Sequence, residues 1–222
     1  MQLNNPRSDN LRPDSCKVVA AVLAGGLSSR MGTDKALLLD NQRRSQLQRA
    51  CAVLQPLIAD GVIQKMVISR ALNPAEQHLL GFEFIPDLIE QKGPLGAIYS
   101  LAQSLKNQCD YLLLLPVDLP FIQASHLNTL INQGLEKQSA CFYQDHFLPL
   151  FLPLSDRLIQ YLERQVKSAD GNLRVRGLLT ELDSQAITYN EDEKFLTNAN
   201  TPEQWQVIQK LLTEKNKQNI SL

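Results

Sequence analysis

A glycine-rich stretch with two basic side chains follows the first apolar run of the sequence. Residues 18–24 are apolar. The stretch after them carries three glycines and two cations, namely Gly25, Gly26, Gly32, Arg30 and Lys35. Glycines let the backbone approach a ligand closely and leave its amide donors unobstructed. Two cations beside such a loop indicate a polyvalent anion, most simply a nucleoside triphosphate. The spacing therefore predicts chemistry at phosphorus.

This loop differs from the two better-known phosphate-binding motifs. A Walker loop continues from its second glycine directly into Lys-Ser or Lys-Thr, whereas Gly32 is followed by Thr33. The segment from Gly25 to Arg30 also lacks the Gly-x-Gly-x-x-Gly spacing of dinucleotide-binding folds. A strand-to-helix connection that uses glycines only for tight turning is the alternative interpretation.

A second chemical feature is Asp118, which follows the apolar run 111–117 and lies between Pro116 and Pro120. A carboxylate at the carboxyl end of a strand can hold Mg²⁺ against phosphate oxygens, because Mg²⁺ prefers oxygen ligands. A turn or helix-capping aspartate is the alternative. Together with the glycine-rich loop, Asp118 predicts a metal-assisted phosphate site.

The composition is that of an ordinary globular domain. The chain has 222 residues, of which 44% are hydrophobic and 20% charged, with a formal net charge of −1. This suits one large α/β domain and supplies no broad basic field for nucleic acid. No apolar run approaches the length of a membrane span. The four cysteines contain no C-x-x-C pair, which indicates a reduced, cytoplasmic protein without a disulfide framework or a zinc site.

Hydrophobic periodicity predicts alternating strands and helices. Strands are predicted at 17–24, 64–69, 82–85, 111–117, 139–143, 185–189 and 194–196. Helices are predicted at 45–59, from Asn73 onward, and at 94–106, 123–136, 155–167 and 201–213. The apolar segment 147–154 is predicted to be a strand at an edge or on an irregular path, because Pro149 and Pro153 lack amide donors.

This order of elements predicts a single three-layer, Rossmann-like α/β domain with a mostly parallel central sheet. The domain is assigned to residues 17–213, after a flexible N-terminal extension over 1–16 and before a polar tail over 214–222. Ligands of such sheets bind at the carboxyl ends of the strands. Most of the candidate residues follow a predicted strand directly, which supports a site at that edge.

Four motifs resemble those of a known family. The string from Leu23 to Lys35 reads L-A-G-G-x-S-x-R-M-G-x-D-K, and it resembles the signature of nucleotidyltransferases that build nucleoside diphosphate conjugates. Within them it is most similar to the molybdenum cofactor guanylyltransferases. G-P-L-G at 93–96, P-V-D-L-P at 116–120 and N-A-N-T-P-E at 198–203 also match. The resemblance is weakest over 40–50, where residues 40–45 lack the family's usual Gly-Lys-Pro-Leu turn.

The resemblance implies a role for individual residues. Catalysis is expected from Arg30, Lys35 and Asp118, with Asp118 as the metal ligand. Nucleotide binding is expected from Leu23, Ala24, Gly25, Gly26, Lys35, Ser69, Asp87 and Asp118, although Ser69 replaces the family's asparagine. Acceptor binding is expected from Arg174, Asn198 and Asn200. The segment 93–96 predicts a helix start whose free amides face an anion.

The implied reaction is Mg²⁺-dependent transfer of GMP from GTP to the terminal phosphate of molybdenum-molybdopterin, with release of pyrophosphate. Transient contacts with molybdenum-insertion proteins and target molybdoenzymes are expected. A molybdopterin cytidylyltransferase, or another nucleotidyltransferase on the same scaffold, is the first alternative. The A-G-G at 24–26 favours guanine, because cytidylyl relatives tend to read A-A-G there. A nucleotide- or cofactor-binding protein without turnover is the second alternative.

Overall fold

The computed structural model of the chain describes residues 16–25, 34–71 and 81–220. Several predictions concern residues outside these ranges. They are almost all of the N-terminal extension, the site residues Gly26 and Arg30, and the helix beginning at Asn73.

One seven-stranded sheet forms the centre of the molecule, in the order β3-β2-β1-β4-β6-β5-β7. The strands are β1 (Val18–Leu23), β2 (Lys65–Ser69), β3 (Glu83–Ile85), β4 (Tyr111–Pro116), β5 (Cys141–Tyr143), β6 (His146–Pro153) and β7 (Gln185–Ile187). Only β6 runs against its neighbours β4 and β5, and the other pairs are parallel. The predicted, mostly parallel sheet is confirmed.

Helices cover both faces of this sheet. They are α1 (Gln46–Ala59), α2 (Gly93–Leu105), α3 (Ala124–Lys137), α4 (Asp156–Lys167), α5 (Val175–Glu181) and α6 (Pro202–Ile220), with 3-10 helices at Lys35–Leu37 and Glu193–Leu196. Leu113 and Leu115 of β4 pack in the cluster with α1 and α3, whereas Leu112 and Leu114 pack with α2, α4 and α5. A strand that is buried on both faces requires such a continuous apolar run. The predicted three layers are confirmed.

Three differences separate the predicted elements from the observed ones. Residues 194–196 form part of a 3-10 helix rather than a strand, because the Asp192 carboxylate accepts the Lys194 amide and starts a helical turn. The seven-residue α5 was not predicted, since two turns that include Gly177 carry little periodicity. The last helix extends past residue 213 to Ile220, through a segment rich in helix-forming Glu, Lys and Gln. Within the described ranges, no helix combines the length and apolarity that crossing a membrane would need.

The proline-containing strand β6 lies inside the sheet and not at its edge. It pairs with β4 through residues 150–153 and with β5 on its other side. Pro149 follows a cis peptide bond and lies next to the point where the pairing with β5 shifts register. The irregular path is therefore the correct alternative, because a locally disrupted ladder does not need the missing amide donor.

Candidate active site

Three parallel strands end level at one edge of the sheet. Leu23, the last residue of β1, pairs with Ser69 at the end of β2 and with Pro116 at the end of β4. Hydrogen bonding continues beyond the strands, since the Ala24 amide donates to the Ser69 carbonyl and the Val117 amide to the Leu23 carbonyl, each at 3.2 Å. The segments that follow these strands therefore leave the sheet side by side, where parallel α/β sheets bind ligands.

Gly25 stands where the chain leaves β1 and passes close to the end of β2. A Cβ atom on Gly25 would lie 3.3 Å from the Ser69 carbonyl oxygen and 3.7 Å from the Cα of Arg70. The first distance is tighter than side chains ordinarily make, so glycine permits the close approach. The next two predicted site residues, Gly26 and Arg30, lie outside the described residues.

Lys35 begins a 3-10 helix that Asp34 caps. One oxygen of the Asp34 carboxylate accepts the Ala36 amide at 2.9 Å, and the other accepts the Arg70 guanidinium at 2.6 Å. Arg70 directly follows β2, so this ion pair ties the start of the 3-10 helix to the end of β2. Asp34 and Arg70 are absent from the predicted site residues. A charged residue directly after a parallel strand is the signal that would have identified Arg70.

The Lys35 side chain joins two segments that are distant in sequence. Its ammonium donates to Oδ1 of Asn200 at 2.8 Å and to Oδ2 of Asp118 at 3.3 Å. The side chains of Lys35 and Asp118 are 21% and 14% exposed, so the ion pair is shielded from most solvent but still reachable. We call Lys35, Asp118 and Asn200 the edge cluster. The structure thus brings together three of the predicted site residues.

Further hydrogen bonds hold the two oxygen-bearing members of the edge cluster. The Asp118 carbonyl accepts the Ala199 amide at 2.9 Å, which joins the loop after β4 to the segment before α6. The side-chain oxygen of Gln204 accepts the amides of Asn200 at 2.8 Å and of Thr201 at 3.1 Å. The Thr201 hydroxyl accepts the Gln204 amide at 3.2 Å, so Thr201 caps α6 as predicted. Gln204 thus binds the backbone amide of Asn200, and the Asn200 side chain binds Lys35 in the edge cluster.

The donor atoms of the edge cluster suit a hard divalent cation. The Asp118 carboxylate and the Asn200 amide oxygen contact one ammonium group, so they converge on a position of positive charge. Mg²⁺ commonly takes one or two carboxylates from a protein and its other ligands from waters and substrate phosphates. Within the described part of the chain, no group of three or more His, Cys, Asp or Glu side chains could hold a metal ion. Asp118 and Asn200 are therefore the residues of the edge cluster that could hold such an ion.

Ser69 and Asp87 lie at the same edge of the sheet and differ in accessibility. Ser69 is fully buried, and its carbonyl rather than its hydroxyl contacts the loop after β1. A direct contact between the Ser69 side chain and nucleotide is therefore not supported. Asp87 is half-buried after β3. Burial raises the pKa of its carboxyl above the usual range, and nearby Glu90 raises it further. Its contact with nucleotide stays a prediction.

The start of α2 does not offer every amide to an anion. Gly93 has a φ of 57° and Pro94 occupies the first turn, as the sequence predicts. The Gly96 amide donates to the Lys92 carbonyl at 3.2 Å, however, so this amide is already engaged. This is the regular bond that closes the first turn of a helix, so the prediction that the free amides before it face an anion stays a prediction.

The predicted acceptor residues are divided between two places. Asn200 belongs to the edge cluster, and Asn198 is exposed two residues before it. Arg174 is exposed at the start of α5, where it lines a groove of about 600 Å³ on the face formed by α4 and α5. This α4–α5 groove also contains Arg157 and Arg176 but no member of the edge cluster. The structure does not bring Arg174 together with the edge cluster, and its acceptor role stays a prediction.

Comparison with known sequences agrees with this geometry. Residues 20–186 match the family described as the MobA-like NTP transferase domain. A molybdenum cofactor guanylyltransferase of Xanthomonas euvesicatoria pv. vesicatoria is 33% identical over 187 residues, which cover 83% of this chain and 90% of that protein. A protein of the same name from Rhizobium meliloti is 32% identical over 177 residues, 77% of this chain and 78% of that protein.

Solved structures share the fold. Molybdopterin-guanine dinucleotide biosynthesis protein A from Archaeoglobus fulgidus superimposes with a TM-score of 0.67 at 19% identity, covering 88% of this chain and 99% of that chain. A 4-diphosphocytidyl-2C-methyl-D-erythritol synthase from Anaerococcus prevotii also gives 0.67, at 11% identity over 89% of this chain and 96% of that chain. At such low identity the likeness concerns the fold alone.

Proposed function

The chain belongs to the MobA-like NTP transferase family, and from this premise we propose that it transfers GMP from GTP to the terminal phosphate of molybdenum-molybdopterin. An oxygen of the acceptor phosphate attacks the α-phosphorus of GTP. The bond between the α-phosphorus and the oxygen that bridges to the β-phosphate breaks, and pyrophosphate leaves. The acceptor phosphate is largely ionised at neutral pH because its second pKa is about 6, so the protein need not supply a base.

The edge cluster is the observation that supports this reaction best. Transfer at phosphorus depends on positioning and charge neutralisation, and it needs no covalent protein nucleophile. Lys35 provides positive charge beside the level ends of β1, β2 and β4, and Arg30 is proposed to add a second charge. The exposed backbone at Gly25 lies at the same edge and would contact the nucleotide. Charge and exposed backbone therefore meet at one edge of the sheet.

Mg²⁺ forms part of the proposal. Asp118 would hold the ion, and the Asn200 amide oxygen is near enough to the same ammonium position to assist. When bound, Mg²⁺ would supply positive charge to phosphate oxygens and to the departing pyrophosphate. Lys35 would orient the Asp118 carboxylate through their ion pair.

Guanine is the proposed base. Relatives named guanylyltransferases at 33% and 32% identity support GTP over CTP. The glycine at position 25, where cytidylyl relatives tend to have alanine, supports the same choice. We further propose a cytoplasmic enzyme that contacts molybdenum-insertion proteins and target molybdoenzymes transiently.

Two measurements on the purified chain test the proposal. The melting temperature is measured with GTP or CTP in the presence of Mg²⁺, and pyrophosphate release is measured with GTP and molybdenum-molybdopterin. We expect stabilisation by GTP and acceptor-dependent release of pyrophosphate. A selective response to CTP would replace the guanine assignment. Stabilisation by GTP without pyrophosphate release would favour a binding protein that has no turnover.

A further inference from the structure

The loop between the first 3-10 helix and α1 is organised around a buried carboxylate. Asp40 is 6% exposed and accepts four hydrogen bonds. Its Oδ1 accepts the amides of Gln42 at 2.8 Å and Arg44 at 2.9 Å. Its Oδ2 accepts the Arg44 Nε at 3.3 Å and the Arg49 Nη1 at 2.8 Å. This carboxylate shapes the turn that replaces the family's Gly-Lys-Pro-Leu, and it is fully hydrogen-bonded without any ligand.

Arg49 connects this carboxylate to the loop that carries Asp118. Its side chain is 16% exposed and reaches from the first turn of α1. While Nη1 binds Asp40, Nη2 donates to the carbonyl of Pro120 at 3.0 Å. Pro120 lies two residues after Asp118 in the same short loop. The planar guanidinium therefore fixes the backbone of this loop relative to α1, and a lysine could not hold both partners in the same way.

The same turn also contacts the helix that follows Asn200. The Gln209 side chain donates to the Leu39 carbonyl at 2.8 Å, and the Asn41 side chain donates to the Gln209 carbonyl at 3.3 Å. Residues 38–45 directly follow the 3-10 helix that Lys35 begins. They also contact Arg49, which binds the loop of Asp118, and α6, which follows Asn200. The Asp40–Arg49 pair is the buried, charged centre of that contact.

We propose that Asp40 and Arg49 are positioning residues that hold the Asp118 carboxylate where Lys35 and the substrate phosphates meet it. The inference rests on the proposed nucleotidyl transfer. Neither side chain has a hydrogen bond to a member of the edge cluster, so they act through the Pro120 carbonyl. A misplacement of about 1 Å in a reacting group can cost on the order of 100-fold in rate. Loss of the pair should therefore reduce kcat far more than nucleotide binding.

The decisive variants are Arg49→Met and Arg49→Lys, compared with Lys65→Met. Lys65 makes a similar two-partner bridge, to Glu83 at 2.8 Å and Gln108 at 3.0 Å, but it begins β2 and so lies at the opposite edge of the sheet. We expect Arg49→Met to lower kcat for pyrophosphate release by about 10- to 100-fold, with the KM for GTP changed by less than about threefold. Arg49→Lys should recover part of the loss, and Lys65→Met should match the parent. Assays run well below the lowest melting temperature.

Hydrogen exchange supplies a readout that does not depend on activity. In Arg49→Met, amides in 117–122 and the Ala199 amide, which binds the Asp118 carbonyl, should exchange at least about tenfold faster, whereas Lys65→Met should leave them unchanged. Unchanged exchange at these amides would overturn the proposal, as would a kcat loss explained by a smaller folded fraction. If the parent releases no pyrophosphate, the proposed function fails, and the exchange data alone still decide whether Arg49 holds the loop.

Discussion

The edge cluster and the α4–α5 groove both place basic side chains beside carboxylates, but the two regions differ in burial and in convergence. In the edge cluster one ammonium is shared by two oxygens from distant segments, and its ion pair is mostly shielded. In the groove, Arg157 is 57% exposed and pairs with Asp183, which is 80% exposed. The groove contains more arginines, yet each of its pairs competes with water.

This difference indicates that the number of charges is a poor guide to a phosphate site. Exposed ion pairs contribute between about 0 and 1 kcal/mol, because solvent screens them and side-chain entropy opposes them. Charges held in a partly desolvated place by a rigid surround act more strongly on a ligand. The edge cluster has such a surround in the ends of three strands and the start of α6. Variants in the two regions test this contrast.

The largest expected effect follows removal of either charge of the edge cluster. Lys35→Met and Asp118→Asn should each reduce pyrophosphate release by at least about 100-fold, because each removes charge that is placed to act on the phosphates. Circular dichroism and the melting temperature should show a folded protein in both cases. Lys65→Met is the matched control. Near-parental turnover in either cluster variant would make the edge cluster no more functional than the groove.

The next largest effect is on stability, where loss of the buried Asp40 carboxylate is compared with loss of the exposed Asp183 carboxylate. Burial alone would raise the pKa of Asp40, but hydrogen bonds from the Arg44 amide, the Arg49 guanidinium and the Gln42 amide outweigh it, so this pKa lies below its usual range. Asp40→Asn should lower the free energy of unfolding by about 2 kcal/mol at pH 7, since charged hydrogen bonds are lost. Asp183→Asn, which removes the exposed partner of Arg157, should change the free energy of unfolding by less than about 0.5 kcal/mol.

The pH dependence of this effect has a definite sign. A carboxylate whose folded pKa is depressed stabilises the protein above its unfolded pKa of about 3.9, and this contribution disappears as the pH falls through the folded pKa. Urea unfolding at pH 7 and pH 3 should therefore show a difference between the parent and Asp40→Asn that shrinks at pH 3. A difference of equal size at both values would mean that the ionised form of Asp40 is not what stabilises the fold.

The sequence predicts this sheet edge well because strand ends follow from apolar runs. Four consecutive leucines placed β4, and the rule that parallel strands bind ligands at their carboxyl ends brought Lys35 and Asp118 to one region. The pairing of Asp34 with Arg70 could not be predicted in the same way. This ion pair depends on the three-dimensional course of two loops, which local hydrophobic periodicity does not determine.

The role of Asn200 shows the same limit. The motif at 198–203 implies that Asn200 lies near the acceptor and the metal, and this stays a prediction. Its contact with Lys35, which is 165 positions away in sequence, could not be inferred from the motif. Likewise, Asp40 and Arg49 lie in the segment that departs from the family pattern, so no motif indicated them. Their importance follows from burial and shared hydrogen bonds, which only the three-dimensional arrangement reveals.

A smaller effect is expected at Arg174, the groove residue that is predicted to bind the acceptor. If Arg174 contacts an acceptor phosphate, Arg174→Met should raise the KM for molybdenum-molybdopterin about tenfold, the cost of one charge-assisted hydrogen bond, and leave stabilisation by GTP unchanged. Steady-state pyrophosphate release at saturating GTP measures the first quantity, and the melting temperature measures the second. Parental values for both would remove the groove from the acceptor site. A lost response to GTP would instead connect the groove with the nucleotide.

A small effect on stability is also predicted for Arg157, which makes two side-chain hydrogen bonds beside the groove. Arg157 donates to the Asp183 carboxylate at 3.2 Å and to the Glu181 carbonyl. Arg49 likewise binds one carboxylate, that of Asp40, and one backbone carbonyl, that of Pro120. Because Arg157 is 57% exposed and Arg49 only 16%, water can replace the partners of Arg157 when its side chain is removed. Arg157→Met should therefore lower the free energy of unfolding by less than about 1 kcal/mol.

Urea unfolding at low and high salt measures this loss, which should decrease further in high salt because screening weakens exposed pairs. Arg49→Met should lose more under the same conditions and depend less on salt, because it leaves the buried Asp40 carboxylate without its main cation. Equal losses and equal salt dependence for the two arginines would show that burial does not separate the two regions, and the contrast between edge cluster and groove would then have to come from geometry alone.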